Sequence, residues 1–300
     1  MTVWLMVGAV ASVALVYGVV TLYVAERFTR SRRRRVEGTP EVMGLRFEDV
    51  QLLAPDGIIL RGWFLDSPGA RATVILIHDS AGTRADPGIG LLSLQSDYVR
   101  RGFNVFAFDL RGRGESSGAR NHLGSTEQRD VAVAIAYVRG RVIGLPLILH
   151  GFGLGGSLAI SAVAAGAPAD AVIADSPASS AREQLRFHWH HLPNWMFTSA
   201  CWVARSIYRA DVNALSPQRA INDVGAIPVL LVHGTADSEV PVAQTLNVAA
   251  STLNEQVETW VVDGGEHCRT YVDDPDRYLA RCLAFIDEAV PRRVLVTAAG

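Results

Sequence analysis

Apolar positions along this chain fall into two periods. Residues 47–53 and 58–65 flank the turn Pro55-Asp56-Gly57, which predicts an antiparallel hairpin. Residues 73–77 form a continuous apolar run, as a strand buried on both faces requires. Further strand-like runs cover 104–108, 147–149, 171–174, 229–232 and 257–262. Between them, residues 91–101, 126–139, 156–165, 242–253 and 276–289 space their apolar side chains as helices do. This alternation predicts an α/β domain over residues 45–291: a mostly parallel sheet, helices on both faces and a hairpin leading. Residues 292–300 are expected to be a tail.

The alternation breaks at residues 177–226, where a small helical cap over the strand ends is expected. The segment is rich in rings: Phe187, Trp189, Trp195, Phe197, Trp202 and Tyr208. Such rings either pack the cap onto the domain or line a ligand-facing or lipid-facing wall. His188, His190 and His191 do not converge as residues four apart on a helix do. No nearby acidic or cysteine partner completes a set, so no metal site is expected.

Residues 2–25 carry no charge, enough as a helix to cross a hydrocarbon core of ~30 Å. Glu26-Arg27 ends the run, and Arg30 and Arg32 to Arg35 follow within a basic juxtamembrane linker, residues 26–44. A cleaved signal would carry its positive charge before the apolar run. The expectation is a single membrane span, with the lipid bilayer as partner and the domain on the cytoplasmic side.

Composition narrows the chemistry. All 28 basic residues are arginine, which excludes a Schiff-base lysine, a Ser-Lys dyad and a Walker phosphate loop. A net charge of −2 gives no reason to expect nucleic acid. Cys201, Cys268 and Cys282 are scattered and make neither a metal spacing nor a disulfide framework. No cofactor is called for.

Ligands of an open α/β sheet bind beyond the carboxyl ends of the strands. The loops expected there read "IHDSAGTR" (residues 77–84), "FDLRGRGESSG" (108–118), "LHGFGLGGSLA" (149–159), "HGTADSEVP" (233–241) and "GGEHCRTY" (264–271). With Asp109 to Gly118, the glycine turn at 151–155, His233 to Asp237 and Glu266-His267 in this order, the chain resembles an α/β-hydrolase. It is similar to membrane-anchored alpha/beta-hydrolase-domain proteins and to serine aminopeptidase-like hydrolases. That resemblance implies a nucleophile elbow Gly-x-Ser-x-Gly, then an acid, then a histidine. Asp237 matches the acid and His267 the base. Ser80 and Leu154 match the backbone N–H donors of an oxyanion hole.

Two positions depart from the pattern. Gly153 stands where the serine belongs, and glycine has no oxygen with which to form an acyl-enzyme. Loss of such a nucleophile removes on the order of 10⁶ in turnover. Asp79 replaces the glycine usual after the histidine of the facing loop. Pointing inward, its carboxylate would oppose an oxyanion; pointing outward, it is a solvated turn residue. Ser80 is the best-placed substitute nucleophile. Ser157 lies too far along the elbow helix, and the side chain of Cys268 is expected to diverge from that of its neighbour His267. The sequence therefore predicts a membrane-anchored α/β-hydrolase-fold protein that is non-hydrolytic or strongly impaired, with a small acyl or lipid-like ligand under the cap. The alternative is an ester, amide or thioester hydrolase acting through His267 and Asp237 with water or with Ser80.

Overall fold

In the computed structural model, which describes residues 1–290, eight strands form one sheet in the order β1-β2-β4-β3-β5-β6-β7-β8. β1 (Glu48–Leu53) and β2 (Ile59–Leu65) are the hairpin, and β2 also runs antiparallel to β4 (Phe103–Phe108). β3 (Ala72–Ile77), β5 (Leu147–Phe152), β6 (Ala171–Asp175), β7 (Val229–Gly234) and β8 (Val257–Val262) continue the sheet in parallel. Strands β3 to β7 are buried throughout, because helices cover both faces of a parallel sheet. β8, at the edge, is half-exposed.

The helices are α1 (Thr2–Thr29), α2 (Leu91–Arg100), α3 (Glu127–Arg141), α4 (Leu154–Ala164), α5 (Ala181–His188), α6 (Asn194–Tyr208), α7 (Pro217–Ala220), α8 (Val242–Ala250), α9 (Thr270–Asp273) and α10 (Pro275–Ala289). One core layer joins Phe64, Ile75, Phe106 and Leu149 to Val131 and Ile135 of α3 and Leu158 of α4. The opposite layer joins Val74, Val105, Ile148 and Leu230 to Tyr98 of α2 and Tyr278 and Phe285 of α10. β4 pairs with one side of β3 and β5 with the other. The connections leaving β3 and β5 therefore diverge, and a crevice opens between their carboxyl ends.

β5 runs three residues beyond the apolar run that announced it, carrying His150 and Gly151 inside the sheet before the elbow begins. The apolar amino-terminal helix, long and apolar enough to cross a membrane, extends one turn past its uncharged run to Thr29. That extra turn is fixed by packing. Val24, Ala25 and Phe28 are buried against Leu185 of α5 and Phe197, Ala200, Cys201 and Ala204 of α6. The rings of Phe28 and Trp189 meet at 5.1 Å, and Tyr17 donates a hydrogen bond to Ser199 at 2.6 Å.

The following segment is bonded to the domain. Ser31 donates to the Gly112 carbonyl (2.6 Å), and Arg33 donates to those of Gly114 (3.0 Å) and Gly118 (2.7 Å). Trp189, Phe197 and Trp195 meet rings of α1, Trp189 also lines the cavity described below, and Phe187, Trp195 and Trp202 are exposed. The expected tail at 292–300, and the domain's expected last residue at 291, lie outside the described residues.

Candidate active site

The elbow follows β5. Gly155 permits its close packing, since a Cβ there would lie 2.7 Å from the Ile77 carbonyl carbon. Gly153 sits at φ +52°, ψ −112°, a region glycine enters without penalty and other residues only under strain. Its N–H donates to the Asp175 carbonyl at 2.8 Å, which fixes the turn against β6.

Opposite it, the loop after β3 turns Asp79 inward. His78 is fully buried. Its Nε2 accepts from the Leu110 N–H at 3.0 Å, so Nδ1 carries the proton and donates to the Asp79 carbonyl at 2.6 Å. Arg113, itself buried and paired with Glu127, donates to the Ser80 carbonyl at 3.0 Å. With its own carbonyl and that of Ser80 both held, Asp79 directs its carboxylate at the elbow. Oδ1 accepts from the Leu154 N–H at 2.8 Å. A Cβ placed on Gly153 would fall 2.5 Å from the Asp79 carboxyl carbon. The carboxylate thus fills the space a nucleophilic side chain would need and occupies an N–H that would serve an oxyanion. Of the two orientations open from the sequence, Asp79 takes the inward one.

His267 and Asp237 come together: Nδ1 lies 2.7 Å from Asp237 Oδ2. Asp237 is held in turn by the N–H groups of Glu239 (2.9 Å) and Val240 (2.7 Å). Buried His233 places Nε2 3.1 Å from Asp237 Oδ2 and 2.8 Å from the Val240 carbonyl; both are acceptors, so this nitrogen donates. Sequence reasoning quoted His233 only as part of a motif and missed this bracing role. The other face of His267 meets Asp79: Nε2 lies 3.8 Å from Oδ2.

An imidazole between two carboxylates is driven to its cation. Burial works against charge on His267, but its neighbours outweigh it and raise its pKa far above the usual histidine value. The Cys268 thiol is pushed up to about 12 by burial and is neutral at ordinary pH, so Asp237 and Asp79 supply the effect. For Asp79, burial likewise opposes ionisation. Contact with His267 and the Leu154 and Ser80 N–H groups reverse this and hold it below the usual carboxylate range. Burial also opposes ionisation of Asp237, and His233, His267 and the Val240 N–H hold it low.

The remaining candidates separate clearly. Ser80 is exposed, and its hydroxyl donates to Asp79 Oδ2 at 3.3 Å. Ser157 is buried on α4 and donates back to the Gly153 carbonyl. Cys268 corrects the expectation of divergence: its Sγ lies 3.5 Å from His267 Nε2. The cause is a left-handed backbone, φ +54°, which turns the side chain back beneath the ring. The thiol is nevertheless fully buried, out of a ligand's reach. His188 and His190 each bring Nδ1 within 3.0 Å of a carbonyl in their own turn, those of Gln184 and Phe187.

A cavity of about 240 Å³ lies over Asp79, Gly153 and His267. Its apolar wall comes from Leu123, Leu154, Leu185, Trp189 and Leu215, and from Phe28 at the end of α1. The amino-terminal helix therefore contributes directly to the pocket.

Comparison with known proteins agrees with this architecture. Residues 71–225 match the family described as serine aminopeptidase, S33. The uncharacterized protein YfhR of Salmonella typhi is 32% identical over 79% of this chain and 82% of its own length. A lysophosphatidylserine lipase, ABHD12 of Danio rerio, is 30% identical over 60% of this chain and 47% of that protein. Among solved structures, the Pyrococcus furiosus esterase Pf2001 superposes with a TM-score of 0.70 at 23% identity, covering 86% of this chain and 98% of its own. With the elbow, the ordered loops and the doubly covered sheet in place, the chain belongs to the serine aminopeptidase S33 family of α/β-hydrolases.

Proposed function

We propose that this chain is a membrane-anchored α/β-hydrolase-fold protein that holds an amphiphile in the cavity between cap and α1 and does not carry out serine-type acyl transfer. One observation carries the reading: the Asp79 carboxylate stands in the volume of the missing nucleophile and bonds the Leu154 N–H. An acyl substrate at this site finds no serine oxygen and meets a negative charge where its own oxyanion would form.

The amphiphile rests on the pocket's composition. Much of its wall is apolar, with Asn121, Gln184, His188 and Glu239 as polar members, its floor is charged, and one wall residue, Phe28, belongs to the helix assigned to the bilayer. A ligand with an apolar tail and a polar head matches that division. The name of the relative ABHD12, a lysophosphatidylserine lipase, points the same way. Arginines at 32–35, shortly after the span, support a cytoplasmic domain by the positive-inside rule.

Fluorophosphonate labelling, which reports activated serines, tests the central point. The natural chain is expected to remain unlabelled, and so is Gly153→Ser, whose new Cβ meets Asp79. The double variant Asp79→Gly/Gly153→Ser frees both the space and the N–H and is expected to label. Labelling of the natural chain would overturn the proposal.

A further inference from the structure

We propose that the cap helix α6 enters the bilayer leaflet on the domain's own side, alongside α1, with Trp195 and Trp202 in contact with lipid. The partner is a phospholipid surface, and the inference rests on the membrane anchoring proposed above.

The two helices are joined at a depth that the span itself fixes. Tyr17 donates a hydrogen bond to Ser199 at 2.6 Å, and its ring meets that of Trp195 at 5.3 Å. Tyr17 precedes Ala25, the last residue of the uncharged run, by about 12 Å of helix at ~1.5 Å per residue. The whole run, residues 2–25, is about 36 Å long on the same rise, against a hydrocarbon core of ~30 Å. Even with all of the excess on the domain's side, an upright α1 holds Tyr17 about 6 Å below the hydrocarbon boundary. Interfacial helices sink ~5–10 Å into the boundary between headgroups and acyl chains. The amino-terminal end of α6 lies at that depth. Ala200, Cys201 and Ala204 of α6 are buried against Val24, Ala25 and Phe28, so α6 cannot leave the leaflet without parting from α1.

The charge pattern of the cap follows the same boundary. Residues 187–204 contain no acidic residue and no arginine; Arg205 and Arg209 come only at the end of α6, and Arg205 lies 3.3 Å from Asp211. At that end the Arg120 guanidinium sits 4.0 Å over the Tyr208 ring and pairs at 2.7 Å with Glu26, the first charged residue after the run in α1. The uncharged stretch of α6 thus lies beside the uncharged part of α1, and its charged end beside the charged end. On the outward stripe of α6, Trp195 is 58% exposed and Trp202 68%, with exposed Thr198 between them at helical spacing. Two indoles on one face of a helix are poorly placed in water, but tryptophan is enriched where membrane meets water. Arg27 and Arg30, exposed just beyond the run, are placed to meet anionic headgroups.

Photocrosslinking from the lipid side tests this. The full-length protein is reconstituted in vesicles of phosphatidylethanolamine and phosphatidylglycerol carrying a phospholipid with a diazirine in its acyl chain. After irradiation and tryptic cleavage, adducts are located by mass spectrometry. Cleavage after Arg27, Arg186 and Arg205 gives the peptide 1–27, which reports the span, and the peptide 187–205, which reports the cap. Adducts are expected in both, in the second at Trp195, Thr198 or Trp202. None is expected in the peptide holding Leu253, which is fully exposed but lies outside the cap. Adducts in 1–27 alone, the pattern if water or a second copy covers the outer face of α6, would overturn the proposal and leave the anchor standing. Adducts in 187–205 confined to Trp189, which lines the cavity, would report lipid inside the pocket and would also overturn it. Adducts in neither peptide would remove the anchor and the inference together.

Discussion

At the level of single residues, Gly153 and Asp79 behave as one change. Glycine removes a side chain from the elbow, and aspartate fills the space with a carboxylate that takes over a hydrogen bond to the Leu154 N–H. Restoring the serine alone should therefore leave esterase activity on a short activated ester near that of the natural chain. Adding Asp79→Gly should raise the rate by about 10² or more, since access to a single oxyanion donor is worth that much. Steady-state hydrolysis across the three proteins measures this. The substitution at 153 was plain in the sequence because an elbow motif has a fixed centre. The inward turn of Asp79 was not, because it depends on contacts distant in the chain. Leu110 offers its N–H to His78, and Arg113 fastens the Ser80 carbonyl. The left-handed backbone at Cys268 was hidden for the same reason: nothing in a His-Cys pair announces a positive φ.

Among the elements, the sheet was legible almost strand for strand, since continuous apolar runs mark buried parallel strands. Boundaries were less so. β5 continues through His150 and Gly151, whose polarity and smallness suggested a loop; His150 is satisfied inside the fold by Tyr98 (3.0 Å) and Tyr278 (2.9 Å). The union of α1 with the cap lay beyond the sequence altogether, because its partners, Phe28 and Phe197, are far apart in the chain. Phe28 is 4% exposed and also lines the cavity. Phe28→Ala should cost about 3 kcal/mol in the packing of α1 against α5 and α6. It should also weaken binding of a fluorescent fatty alcohol. Limited proteolysis of the α5–α6 segment and a binding titration check the two effects separately.

For the whole molecule, the charged pair at the site gives a pH profile. His267 binds its proton more tightly when folded, so its contribution is complete below its unfolded pKa of ~6.5 and is lost as pH climbs toward the raised folded value. Asp79 and Asp237 act in reverse: their contributions are complete above ~3.9 and are lost as pH falls through their lowered folded values. Thermal unfolding of the full chain should therefore peak between about pH 4 and 6.5, and Asp79→Asn should flatten both flanks. In spheroplasts, the domain should resist protease added outside and be digested after lysis, as a cytoplasmic domain behind a single span requires. The most direct test of the carboxylate's place is the protonation state of His267, read by nitrogen-15 NMR of histidine-labelled protein and assigned by its absence in His267→Gln. The ring should be a full imidazolium at pH 8 in the natural chain, and Asp79→Asn should bring its titration downward. Identical titration curves in the two proteins would show that Asp79 does not face His267, and the missing nucleophile's place would then be empty.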